Sequence, residues 1–156
     1  MRDNLGNGNA EEAGLTLHEL GELIRRAGRV AGFSVRSEYP VGKGKRNSWR
    51  IDWVWIRGKQ PVMAFEIEGR NVPESSLAGD RRKFRELPSS CAKVVALYTV
   101  RGESCLVLPR KRRTPLQWIQ EEWQPRDELD AVHVKLDTEL FAPGGIEQLQ
   151  EAAKKR

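Results

Sequence analysis

Histidine and cysteine are scarce in this chain, with two of each in 156 residues: His18, His133, Cys91 and Cys105. Both cysteines fall in or beside apolar, strand-like runs and read as small buried hydrophobes, too few for a disulfide scaffold or a thiolate metal site. The lack of histidine argues against a zinc centre, so a metal would have to be held by oxygen. No apolar run approaches the ~20 residues that cross a bilayer as a helix. The opening stretch MRDNLGNGNAEEAG has no apolar centre of the kind a secretory signal carries. The expected location is therefore cytoplasmic.

What the chain does have is positive charge, unevenly spread. Residues 115–156 hold 5 basic and 9 acidic residues, whereas residues 1–114 hold 22 basic and 13 acidic. A polyanion would be drawn to the first three quarters of the chain.

Residues 1–14 lack periodicity and read as a flexible lead; residues 15–156 read as a single domain. Thr16 and Glu19 have the spacing of a capping box ahead of a helix reaching about Ala31. Leu17, Leu20, Leu23, Ile24, Ala27, Val30 and Ala31 form its apolar stripe, and Gly32 ends it. Strands are expected over 33–39, 49–56, 62–69, 92–100, 103–109 and 131–137. Helices are expected over 77–86, from Pro115, and over 145–154. The order suggests an α/β fold, one central mixed sheet with helices on both faces.

Against this apolar background three carboxylates stand out. Asp52 lies inside RIDWVWI, and Glu66 and Glu68 lie two apart in VMAFEIEG. Residues i and i+2 of a strand share a face, and an unpaired buried carboxylate is costly. Pairing the two strands as a hairpin would let the three acids converge. An all-oxygen cluster suits a hard cation, Mg²⁺ or in its place Mn²⁺, which polarises a phosphoryl oxygen and activates water. The structural alternative pairs Asp52 with Arg50 or Arg57 and Glu68 with Arg70.

These motifs resemble the PD-(D/E)xK nuclease superfamily, the restriction-endonuclease-like fold. The resemblance rests on a helix, three strands with Asp52 on the second and Glu66-Ile67-Glu68 on the third, a helix and a further strand. It covers residues 15–100. It implies a metal-dependent endonuclease acting on DNA, with RNA as an alternative polyanion, and with Asp52 and Glu66 as metal ligands. The family's usual strand lysine is replaced here by Glu68, and Ile51 stands where a proline precedes the acid. Lys83 on the following helix is the candidate replacement for the lysine. The resemblance further implies an acid from the first helix as a third metal ligand, Glu22 or Glu19, with Glu22 the better match in spacing. In LAGDRRKFREL it implies a polar residue near the site, Asp80, with Phe84 four residues on.

Basic groups would hold the nucleic acid: Lys43, Lys45 and Arg46 before the Asp52 strand, Arg70 directly after Glu68, Arg81, Arg82 and Arg85 around Lys83, and Arg110 and Arg112 (with Lys111 and Arg113) before the Pro115 helix. Of the five tryptophans, Trp53 and Trp55 read as packed against a helix, Trp118 and Trp123 as core, and Trp49 as the one best placed to meet a base. Cutting both strands of a duplex would call for a homodimer. Two other readings stay open: a nuclease-fold binding or assembly module without catalysis, motivated by Glu68, and an unrelated α/β protein whose acids form salt bridges.

Overall fold

The computed structural model describes residues 16–42, 49–69, 71–99, 106–108, 113–123 and 132–156. Helix α1 (Leu17–Val30) begins where the Thr16 hydroxyl oxygen accepts a hydrogen bond from the Glu19 amide and the Glu19 carboxylate accepts one from the Thr16 amide. It ends at Ala31, followed by Gly32 at φ +95°, a conformation open to glycine at little cost. Leu20, Ile24 and Ala27 bury, but the outer members of the expected stripe do not: Leu17 is 55% exposed and Val30 82%.

Strands β1 (Ser34–Val41), β2 (Trp49–Arg57) and β3 (Gln60–Glu68) form an antiparallel meander. A three-residue strand β4 (Asn71–Pro73) leads into helix α2 (Glu74–Phe84), which starts one turn earlier than the sequence suggests. Strand β5 (Ala92–Leu97) pairs parallel with β3. Strand β6 (Leu106–Leu108) pairs parallel with β4 in a small second sheet. Helix α3 (Pro115–Glu122) carries a second capping box, Thr114 with Gln117. Strand β7 (Val132–Leu136) closes the main sheet beside β5, followed by α4 (Asp137–Phe141) and α5 (Gly145–Lys154).

The main sheet has the order β1-β2-β3-β5-β7. The expected α/β class, a mixed sheet with helices on both faces, is what the structure has. Alternation along β3 divides the core. Met63 and Phe65 join Leu20, Ile24, Trp55 and Leu149 on the side covered by α1 and α5. Ala64 faces Ile51, Leu77, Phe84 and Trp118 on the side covered by α2 and α3. Close approach of α1 requires Gly28, where a Cβ would stand 2.5 Å from Trp55 Nε1. That indole donates instead to the Ile24 carbonyl at 2.9 Å, so Trp55 packs against the helix as expected. Trp118 and Trp123 are core. Cys91 is buried and free, and Cys105 lies outside the described residues. Among the described residues no helix is long and apolar enough to cross a membrane.

Candidate active site

The β2–β3 ladder runs from Arg57↔Gln60 to Trp53↔Phe65. Beyond it the Asp52 side chain stands in for a ladder carbonyl: its Oδ2 accepts the Ile67 amide at 2.8 Å. The regular ladder stops here, and a pocket lies between this end of the two strands and α2. Its volume is about 330 Å³. Asp52, Glu66 and Glu68 enter it from the sheet, and Ser76, Asp80 and Lys83 from α2. The helix residues follow the spacing of one face, i, i+4 and i+7.

Glu66 is 2% exposed. Burial, then the neighbouring Asp52 charge, pushes its pKa up to about 8 against the pull of Lys83. Lys83 Nζ lies 3.0 Å from Glu66 Oε2 and donates to the Arg50 carbonyl at 3.0 Å. The contact with Glu66 is an ion pair without hydrogen-bond alignment, and Oε2 has no hydrogen-bond partner among the described residues. Burial by itself would lower the Lys83 pKa. Glu66, with Asp80 and Asp52 behind it, outweighs burial and the net shift is upward. Lys83 therefore stays charged.

Asp80 is 3% exposed, and its Oδ2 has no hydrogen-bond partner among the described residues. Burial and a hydrogen bond with Glu68 push its pKa up to about 11. It is a buried acid set against Glu68, a pairing that favours its protonated form. The three strand acids thus share one pocket in two roles. Asp52 and Glu66 meet each other, while Glu68 meets Asp80. Phe84 turns into the core.

Of the first-helix acids, Glu19 is engaged in the α1 capping box. Glu22 lies outside the acid pocket, in an adjoining groove that shares Asp52 and Ile67 with it. Its carboxylate is clamped by Arg25, Nη2 to Oε1 2.6 Å, which holds its pKa below the ordinary value. Among the described residues no three or more His, Cys, Asp or Glu side chains form a ready-made metal cluster.

Arg81 is half-buried, and Arg82 and Arg85 are exposed, on the helix that carries Lys83. Lys43, Lys45, Arg46, Arg70, Arg110, Lys111 and Arg112 lie outside the described residues. Arg113 serves the fold, bridging Glu74, Glu121 and Glu122. Trp49, the tryptophan best placed to meet a base though core was its default reading, packs against the α2-side core. Trp53 lies against α1 as expected, but it also lines the groove beside Asp52. Strand alternation alone had set it opposite the acid, yet the two line one opening.

No family model matches the chain, and no curated protein matches it. A solved structure described as a protein of unknown function, AF1548, is similar with a TM-score of 0.44 and 12% identity over 86% of this chain. The chain spans 65% of that protein's length.

Proposed function

We propose that the protein is a divalent-cation-dependent nuclease that hydrolyses phosphodiester bonds in DNA, with a restriction-endonuclease-like core. The observation that carries this reading is the meeting of Asp52, Glu66 and Lys83 in one pocket at the end of β2 and β3 where their ladder stops. An unrelated protein using its acids as surface salt bridges has no need to bring them together in a pocket.

The residues fit Mg²⁺ or Mn²⁺. Mg²⁺ needs only one or two carboxylates and keeps several waters, so the absence of a three-ligand cluster among the described residues is compatible with it. Asp52 and Glu66 would hold the ion. When bound, such an ion supplies charge for a phosphoryl oxygen and a more acidic water. The chain's own groups do the rest. Lys83, held by the Arg50 carbonyl, keeps an ammonium beside Glu66 and can orient a water or meet a phosphate oxygen. In its protonated form Asp80 can donate a hydrogen bond within the pocket. Arg82 and Arg85 on the same helix face solvent and can take flanking phosphates.

One observation favours the non-catalytic binding module: Lys83 Nζ already stands 3.0 Å from Glu66 Oε2, where a cation would have to bind. Supercoiled plasmid and single-stranded DNA, incubated with Mg²⁺ or Mn²⁺ beside Glu66→Ala, separate the two. Cleavage that needs the metal and Glu66 supports the nuclease. DNA binding without cleavage, unchanged in Glu66→Ala, supports the module.

A further inference from the structure

The groove beside the acid pocket is larger than the pocket, about 810 Å³, within the range of small-ligand sites. Its walls come from α1 and β1, and it meets the acid pocket at Asp52 and Ile67. Two apolar surfaces face into it. Leu17 is left exposed at the start of α1. The Trp53 indole lies so close to α1 that a Cβ on Gly21 would stand 3.2 Å from its Cζ2. The titratable residues of the lining are His18, Glu22 (paired with Arg25), Glu38 and Asp52, and no lysine or arginine lines it. Glu38 holds φ +50° between the Ser37↔Trp53 and Tyr39↔Ile51 pairs, a left-handed backbone that non-glycine residues seldom adopt.

Acidic walls repel phosphate, so the groove does not suit a sugar–phosphate chain. Arg81, Arg82 and Arg85 stand on or directly after α2, which lines the acid pocket, whereas Arg25, Arg26 and Arg29 of α1 are not among the residues that line the groove. A strand crossing the acids with its phosphates toward α2 would turn its neutral, flat part toward α1. Flat apolar surface beside carboxylate and hydroxyl acceptors (Glu38, Ser37) is what a nucleobase stacks on and bonds to. A base inside a duplex is stacked and paired, and extruding it has an energetic cost.

We infer that the groove between α1 and β1 is a base-binding subsite, and that the substrate is nucleic acid unpaired at the nucleotide beside the cut. The inference rests on the nuclease reading for its placement of the phosphate.

Binding of a fluorescent short oligothymidylate, followed by anisotropy in chelator, tests it apart from cleavage. The comparisons are an abasic chain of equal length and a matched duplex. Two groove variants, Ser37→Trp and Leu17→Glu, enter from opposite walls at exposed positions, and thermal melts check their folding. The expected result is a loss of about tenfold in affinity on removing the bases, the size of a stacking contact. Each variant should bind the oligothymidylate about tenfold more weakly, with little further loss on the abasic chain. Equal binding of oligothymidylate, abasic chain and duplex overturns the inference. So do two folded variants that bind like wild type, or a wild-type protein that binds none of the probes. Cleavage of the same oligonucleotides with Mg²⁺ separates this inference from the nuclease reading. Glu66-dependent cleavage with silent groove variants leaves the nuclease and removes the base subsite. Groove-dependent binding without cleavage under either cation keeps the subsite and removes the nuclease.

Discussion

Two regions of this molecule bury carboxylates, and they treat them differently. Asp137, fully buried at the end of β7, accepts the Thr99 amide at 3.0 Å, the Thr99 hydroxyl at 2.7 Å and the Thr138 amide at 2.7 Å. It ties the end of β5 to the start of α4 and leaves neither oxygen without a donor. Glu66 and Asp80, nearly as deep, each keep an oxygen with no hydrogen-bond partner among the described residues, and both sit in an open pocket. Where a buried acid serves the fold, the chain supplies its donors. In the pocket the acids are set instead against one another and against Lys83.

The contrast sorts mutations into two kinds. The largest effect belongs to Glu66→Gln, which should lower metal-dependent cleavage by about 10³-fold or more, the several kcal/mol a metal ligand contributes, while leaving the melting temperature within a few degrees. Asp137→Ala should do the reverse. With three donors stranded, it should cost about 3 kcal/mol in denaturant unfolding, and at temperatures where it stays folded its cleavage should match wild type. If Asp137→Ala were neutral and Glu66→Gln unfolded the chain, the division would be wrong.

Gly28→Ala probes the helix side of the core. Its new Cβ meets Trp55, and overpacking of this kind costs about 1–3 kcal/mol. The same change at Gly79, where the nearest atom is the mobile Arg82 end at 3.8 Å, should be neutral or slightly favourable by chemical denaturation.

The pH dependence has a definite sign. Glu66 is folded with a pKa of about 8 against an ordinary 4.5. Its stabilising contribution is therefore complete below its unfolded pKa and is lost as pH rises through the folded value. Metal-free protein should melt progressively lower as pH is raised from about 5 to about 8.5. Glu66→Gln should flatten part of that slope, leaving the part due to Asp80, whose shift to about 11 has the same sign. A melting temperature that rises over this interval would contradict the assignment.

Much of this was legible in the sequence, and the failures have physical causes. The Thr16–Glu19 box, Pro115 and the span of α5 are local signals, and each holds. The β2–β3 hairpin that joins Asp52 to Glu66 followed from adjacency and a tight turn. Lys83 was foreseen only through the family resemblance, since no local pattern says which residue of a helix faces a strand. Strands β4 and β6 are three residues each and distant in sequence, and neither length nor alternation marks their pairing. Leu17 and Val30 obey the helical period yet stay exposed, because the period fixes a stripe and not how much of it the sheet covers. The pairing of Glu68 with Asp80 was invisible for the same reason as Lys83. The groove role of Trp53 was missed because alternation assumes a continuous ladder, and the β2–β3 ladder stops where Asp52 replaces it.

The most direct measurement is cleavage of DNA by wild type and Glu66→Gln with Mg²⁺, with Mn²⁺ and with chelator, alongside the melting temperature of each protein. The account expects wild type to cut only with the cation and Glu66→Gln to be folded and inactive. Cutting that survives chelator or the Glu66→Gln change, or no cutting by folded wild type on any DNA form, would contradict it.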